Sequence, residues 1–217
     1  MTMKVTFPVD FWWGGATSGP QNEGRFHKPH VNVFDYHYDT KPEDFFRYVG
    51  PDVASDFYHL YESDIALFKD LGFNSLRTSI QWTRLIDDLE EGSLNPEGVA
   101  YYNRVIDALL AAGIRPIINL HHFDLPIELY ERYGGWESKH VVELFVKFAR
   151  RAFECFGDRV TDWMTFNEPM VVVEGQYLYG FHYPMLVDGK KAVQVAYNLQ
   201  LASAKAIQAY RQINQNP

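Results

Sequence analysis

The sequence predicts an α/β protein built on a parallel sheet, and three observations carry that expectation. Short apolar runs of strand length alternate with longer segments whose apolar residues recur at three- and four-residue spacing. Glycine closes three of the four long segments or lies just beyond their ends, and proline or asparagine opens one of them. The run Ile114 to Leu120 is apolar on both faces, as in strands covered on both sides. Such alternation implies parallel strands joined by crossover helices.

In order, Phe11-Trp12-Trp13-Gly14-Gly15-Ala16-Thr17 reads as a first strand running into a Gly-rich turn, Ser18 to Gly24. Its glycines match neither phosphate-loop spacing, so a nucleotide site is not indicated. Residues 25–51 read as an irregular loop rich in aromatics and histidine, and a loop that long is usually functional or mobile. Val53 to Leu71 is the first long helix, with Phe57, Leu60, Tyr61, Leu67, Phe68 and Leu71 in phase and Gly72 closing it. Asn74 to Ile80 is the second strand and carries Arg77. Asn95-Pro96-Glu97 opens the next helix with a capping side chain and proline at the first helical position. Gly113 ends it, and Ile114 to Leu120 is the third strand. A helix over His140 to Phe156, a strand over Val160 to Met164 and a helix over Ala192 to Ile213 complete the pattern.

Residues 1–217 thus read as a single domain of four strand–helix units, without a low-complexity linker. Four units are half of an eightfold barrel, which typically takes roughly 250 residues. The pattern alone equally allows a four-unit open sheet.

Composition narrows the function. With 217 residues, 47% hydrophobic, there is enough apolar material for one ordinary core. The formal charge of −8 and the lack of a basic run argue against a nucleic-acid partner. Cys155 is the only cysteine, so no disulfide framework or thiolate metal site is expected, and it reads as a small buried hydrophobe. No apolar run has the length of a membrane span, and Met1 to Asp10 lacks the regions of a signal peptide. A soluble, cytoplasmic protein with no membrane partner is the expectation.

The chemistry gathers at strand ends. Thr165-Phe166-Asn167-Glu168-Pro169 follows the fourth strand run, and Pro169 stops that strand. Asn167 and Glu168 then lie at the rim where parallel α/β proteins place their reactive groups. A carboxyl beside Trp163, Met164 and Phe166 is a candidate general acid. Gln21, Arg77 and His122 occupy the corresponding ends of the first three strands. Singly, each has an ordinary structural explanation; together they surround one carboxylic acid. Adjacent His121 and His122 point to opposite sides of an extended segment, which argues against joint metal ligation. By the same alternation Asn167 and Glu168 face apart unless the strand end is irregular.

Four segments carry a resemblance: Trp13-Gly14-Gly15-Ala16-Thr17-Ser18 with Gln21 and Glu23-Gly24; Arg77-Thr78-Ser79-Ile80-Gln81-Trp82; His122-Phe123-Asp124-Leu125-Pro126; and Thr165-Phe166-Asn167-Glu168-Pro169. In kind and order they resemble the motifs of family 1 glycoside hydrolases. The resemblance implies a (β/α)8 TIM barrel, present here as its first four units, that cleaves β-glycosides with retention and needs no cofactor or metal. It implies Glu168 as acid/base, Gln21 and His122 as holders of sugar hydroxyls, Asn167 as partner of the 2-hydroxyl, and Arg77 as support for that asparagine and the nucleophile. Phe123 stands where the family more often has tryptophan. With Ser18-Gly19-Pro20-Gln21 and Glu174-Gly175-Gln176-Tyr177, it resembles the branch acting on 6-phospho-β-glucosides. The family's nucleophile, a glutamate in a Thr/Ser-Glu-Asn-Gly type motif, has no counterpart here, and Glu23, Glu137 and Glu174 do not match it. The expectation is an inactive half of a glycosidase. The alternative is a non-catalytic half-barrel that binds sugars or pairs with a second chain through its exposed edges.

Overall fold

The computed structural model describes residues 5–213. The part of the leader expectation that falls on Met1 to Lys4, and the last four residues of the single-domain expectation, lie outside them. From the amino end, β1 (Gly14–Ala16) leads into the one-turn α1 (Gly19–Asn22), then α2 (Val33–Thr40) and two 3-10 turns at Pro42–Asp44 and Phe46–Tyr48. After α3 (Phe57–Asp70) and β2 (Ser75–Ser79) come the short α4 (Trp82–Leu85) and a hairpin of β3 (Ile86–Asp88) and β4 (Ser93–Leu94). The chain continues through α5 (Pro96–Ala111), β5 (Arg115–Asn119), α6 (Ile127–Tyr133), a 3-10 turn at Gly135–Glu137, and α7 (Lys139–Phe156). It ends with β6 (Asp162–Met164), α8 (Pro169–Tyr177) and α9 (Gly189–Ile213).

The main sheet has the order β1-β2-β5-β6, every pair parallel. Ala16, Arg77, Ile117 and Asp162 stand level across it. All four strand ends therefore open onto one rim, which is where the site lies. The sheet can be this tight at β1 because Gly14 has no side chain: a Cβ there would sit 2.0 Å from the Ser75 carbonyl oxygen.

Side chains alternate across β2: Leu76 joins the apolar core, while Arg77 turns to the opposite face. That core also takes Ile118 of β5, Val105 and Leu109 of α5, and Phe145 and Phe148 of α7. Trp82 stacks on Phe148 with centroids 5.3 Å apart and planes 9° from parallel. Beneath the rim lies a buried ion pair, Arg84 Nε donating to Glu23 Oε2 at 2.9 Å. Gln81 and Tyr102 donate to the same oxygen, so the carboxylate is satisfied by three donors.

Several sequence expectations need correction. The stretch 25–51 is not irregular throughout, because Asn32 and Asp35 form a reciprocal capping box that starts α2. The helix expected from Val53 begins only at Phe57, since Asp56 is left-handed at φ 57°. The first strand is shorter than the apolar run, and Trp12 and Trp13 are half exposed beside it. Cys155 is partly rather than fully buried. Pro169 is not what stops the fourth strand, because β6 already ends at Met164; the proline instead occupies the first turn of α8, a helix the sequence reading left out.

Candidate active site

Each rim segment is fixed by local hydrogen bonds before any ligand is considered. After β1, Thr17 N donates to the Arg77 carbonyl and Gly19 N to Ser79 Oγ at 2.8 Å, which seats α1 on the end of β2. Gln21 sits on that turn. Its Oε1 accepts from Ser18 Oγ at 2.8 Å, so its Nε2 is left to donate elsewhere. On β2, Arg77 Nη2 donates to Asn167 Oδ1 at 2.7 Å. That contact orients the amide: Nδ2 of Asn167 faces Glu168 Oε2 at 3.3 Å. Burial lowers the Arg77 pKa, and the Glu168 charge acts in the opposite sense.

The two histidines after β5 diverge as alternation requires. His121 is buried against Trp136 and Phe166, with ring centroids 5.2 Å from each. His122 turns to the rim. Its backbone N donates to Asp124 Oδ1 at 2.8 Å, holding the turn. Burial, then the Arg77 charge, pushes the His122 pKa down to about 4, so the ring is neutral near pH 7.

Asn167 and Glu168 do reach the same side, and the backbone shows how. Strand β6 ends at Met164, and Asn167 N is tied to the His121 carbonyl at 2.8 Å. Glu168 then adopts a left-handed conformation, φ 42° and ψ 61°, immediately before Pro169. A non-glycine residue there costs of order 1–3 kcal/mol. Pro169 disfavours αR at Glu168, and the left-handed turn found there carries the carboxyl to the cleft.

The outcome is a cleft of about 250 Å³ lined by Ala16, Thr17, Gln21, Arg77, His122, Asn167 and Glu168. Five of the six residues singled out in the sequence meet in it. The sixth, Phe123, lies next door in a pocket of about 530 Å³ that shares Gln21 and His122 with the cleft. Glu168 is exposed, and Met164 near it is exposed too, so the apolar surround expected for this carboxyl is not closed by the described residues. Among them Glu168 is the cleft's single carboxylate. Of the spare glutamates, Glu23 is consumed in the buried pair with Arg84, and Glu137 is paired with Lys191 at 3.1 Å. Glu174 lies on α8 and does not line the cleft. Chemically, one carboxyl amid neutral and cationic donors can exchange a proton with a bound hydroxylated ligand; it cannot supply a second anionic group.

The model of the glycosyl hydrolase family 1 matches residues 3–217. The chain belongs to glycosyl hydrolase family 1. Its relatives within that family include the 6-phospho-beta-glucosidase GmuD of Bacillus subtilis, 48% identical over 99% of this chain and 46% of the relative. Beta-glucosidase 26 of Oryza sativa is 39% identical over 96% of this chain and 42% of its own length. Among solved structures, an aphid myrosinase superposes with a TM-score of 0.91 at 34% identity, covering 97% of this chain and 46% of that one. The chain spans about half the length of these family 1 relatives, and its four-stranded sheet is a partial TIM barrel of the family type.

Sequence reasoning missed the second pocket's other walls, Phe34, Phe45 and His182. Phe34 and Phe45 fall in the aromatic stretch 25–51 that the sequence marks as functional or mobile, and the Asn32–Asp35 capping box further announces the helix that presents Phe34; His182 had no such signal.

Proposed function

We propose that this chain is half of a retaining β-glycosidase, with Glu168 as acid/base, and that its substrate is a 6-phospho-β-glucoside. The observation that carries the reading is the left-handed turn that brings Glu168 and Asn167 to one cleft with Gln21, Arg77 and His122. Gln21 and neutral His122 offer hydrogen bonds to sugar hydroxyls. Asn167, its carbonyl held by Arg77, has Nδ2 to donate to the 2-hydroxyl as positive charge grows at the anomeric carbon. Glu168 protonates the departing oxygen and later takes a proton from water. Retention needs a second carboxyl about 5–5.5 Å away as nucleophile. The cleft has none among the described residues, so the 217-residue chain alone does not complete the reaction.

The phosphorylated substrate is supported by the likeness to a 6-phospho-beta-glucosidase at 48% identity and by the Phe123 position. A sugar phosphate is too charged to cross a bilayer unaided, so substrate and a cytoplasmic location go together. No helix among the described residues is long and apolar enough to cross a membrane. One observation favours the second reading, pairing with another chain: β1 and β6 each have one unpaired edge in the described sheet.

The test is hydrolysis of phenyl β-glucoside and its 6-phosphate by the purified chain, alone and mixed with the carboxy-terminal half of the Bacillus relative. Alone, no turnover sensitive to Glu168→Gln is expected. In the mixture, turnover should appear, favour the 6-phosphate, and fall by about 10²–10⁴ in Glu168→Gln. Turnover that survives the substitution would remove Glu168 from its role.

A further inference from the structure

Beneath the rim, the Glu23–Arg84 pair has a companion. Lys28 and Asp35 form a second ion pair, and none of the four side chains is more than 3% exposed. The amide of Gln81, itself fully buried, joins the two pairs. Its Nε2 donates to Glu23 Oε2 at 2.8 Å, while its Oε1 accepts from Lys28 Nζ at 3.3 Å and from Asn32 Nδ2 at 3.4 Å. A carboxylate on one side and two donors on the other leave the amide one orientation. The backbone is held as well, since Gln81 N donates to Tyr102 Oη at 2.8 Å and that hydroxyl donates on to Glu23.

Gln81 is also the floor of α1. Gly19, the first residue of that helix, lies so close that a Cβ on it would be 2.4 Å from Gln81 Cγ. Two residues further on, Gln21 lines the cleft, and after another two Glu23 accepts from the Gln81 amide. Gln21 is thus bracketed by two points that rest on one side chain. Its own bond with Ser18 Oγ lies within the turn and cannot place that turn over the sheet. Gly19 N, donating to Ser79 Oγ, ties one end of α1 to β2; Gln81 and Arg84 tie the other end through Glu23. An apolar side chain at position 81 would leave Glu23 one donor short and Lys28 and Asn32 one acceptor short each.

We infer that Gln81 is a positioning residue: through Gly19 and Glu23 it holds Gln21 where its amide reaches a sugar hydroxyl. The inference rests on the glycosidase reading for what Gln21 binds, but not for where Gln21 stands.

The experiment reads place and binding separately. On the full 217-residue chain, Gln81→Met keeps the bulk of the side chain and removes its amide. In nitrogen–proton NMR spectra, with Gln21→Asn to assign the signal, Gln81→Met should shift the Gln21 side-chain amide. Amide exchange at Gly19 and Asn22 should accelerate at least about tenfold more than in α7. An unmoved Gln21 signal would overturn the inference, as would equal acceleration in α1 and α7, the mark of lost stability alone. Gly19→Ala leaves the buried charges intact and decides the matter if Gln81→Met does not fold. It too should move the Gln21 signal, and an unmoved signal would overturn the inference. For binding, each chain is mixed with the carboxy-terminal half of the Bacillus relative and given phenyl 6-phospho-β-glucoside. Gln81→Met should lower kcat/KM about tenfold, the worth of one misplaced hydrogen bond, and lower it no further in a Gln21→Ala background. An equal fall in both backgrounds would mean that Gln81 does not act through Gln21. A parent mixture without turnover would count against the glycosidase reading instead, and the spectra alone would then decide where Gln21 is held.

Discussion

At the scale of single residues, the site depends on groups kept in unusual states by burial. His121 and His122 have their pKa values pushed down to about 3 and about 4, in both cases chiefly by burial. In the unfolded chain each takes a proton near pH 6.5. Between about pH 4 and 6.5 the unfolded state therefore binds more protons, and the stability that neutral histidines contribute is lost as pH falls through that window. Asp124 works in the opposite sense. Burial pushes its carboxyl up to about 6, so between about pH 4 and 6 the folded state binds more protons and stability falls as pH rises. Two histidines against one aspartate leave net destabilisation in acid. Asp124→Asn keeps the Oδ1 that accepts from His122 N but removes the opposing titration. Its urea midpoint should therefore fall more steeply than the parent's between about pH 6.5 and 4.5. Parallel profiles for the two proteins would count against this assignment. The Glu23–Arg84 pair gives a second residue-level expectation. Arg84 is 1% exposed, so Arg84→Met leaves a buried carboxylate unpaired and should cost about 3–5 kcal/mol. Adding Glu23→Gln should recover part of that loss in equilibrium unfolding, whereas two additive losses would mean the pair is not coupled.

At the scale of elements, legibility followed periodicity. Helix α7 carries Val141, Phe145, Phe148 and Ala152 in phase and lies within a residue of its expected bounds. Helix α8 was missed because Val171, Val172 and Val173 are consecutive β-branched residues with no three- or four-residue spacing. Its only signal was Pro169 in the first turn, and that proline reads equally well as a strand stop. Helix α2 was missed through a signal that was present, the Asn32–Asp35 box. Its worth can be measured: Asn32 Oδ1 accepts from Phe34 N and Asp35 N, so Asn32→Ala should cost about 1 kcal/mol. Amide exchange in α2 should speed up while α7 stays protected. The same variant should loosen Phe34, which α2 presents to the pocket beside it.

For the whole molecule, the residues of the cleft were readable because each lies in a short motif at a strand end, where local sequence sets local geometry. The strand order and the meeting of Gln21 with Glu168 come from pairing across the chain, which no local pattern encodes. The fold that results leaves two matched edges. β1 and β6 are the outer strands, each three residues long, and each lacks a partner on one side among the described residues. Met164, the last residue of β6, and Ile207 of α9 are 42% and 43% exposed. Unpaired parallel strands flanked by apolar surface invite association. Two copies related by a twofold axis can place β6 of each beside β1 of the other, giving two identical seams and a closed eight-stranded ring. Closure stops growth at a dimer, whereas pairing at one seam only would propagate into larger species. Sedimentation velocity across a concentration series should therefore show mass above the 25.2 kDa chain, converging on twice that value. Met164→Lys puts a charge at each seam and should return the protein towards 25.2 kDa without altering its helical signal. A monomer at every concentration would exclude pairing between copies through the β1 and β6 edges.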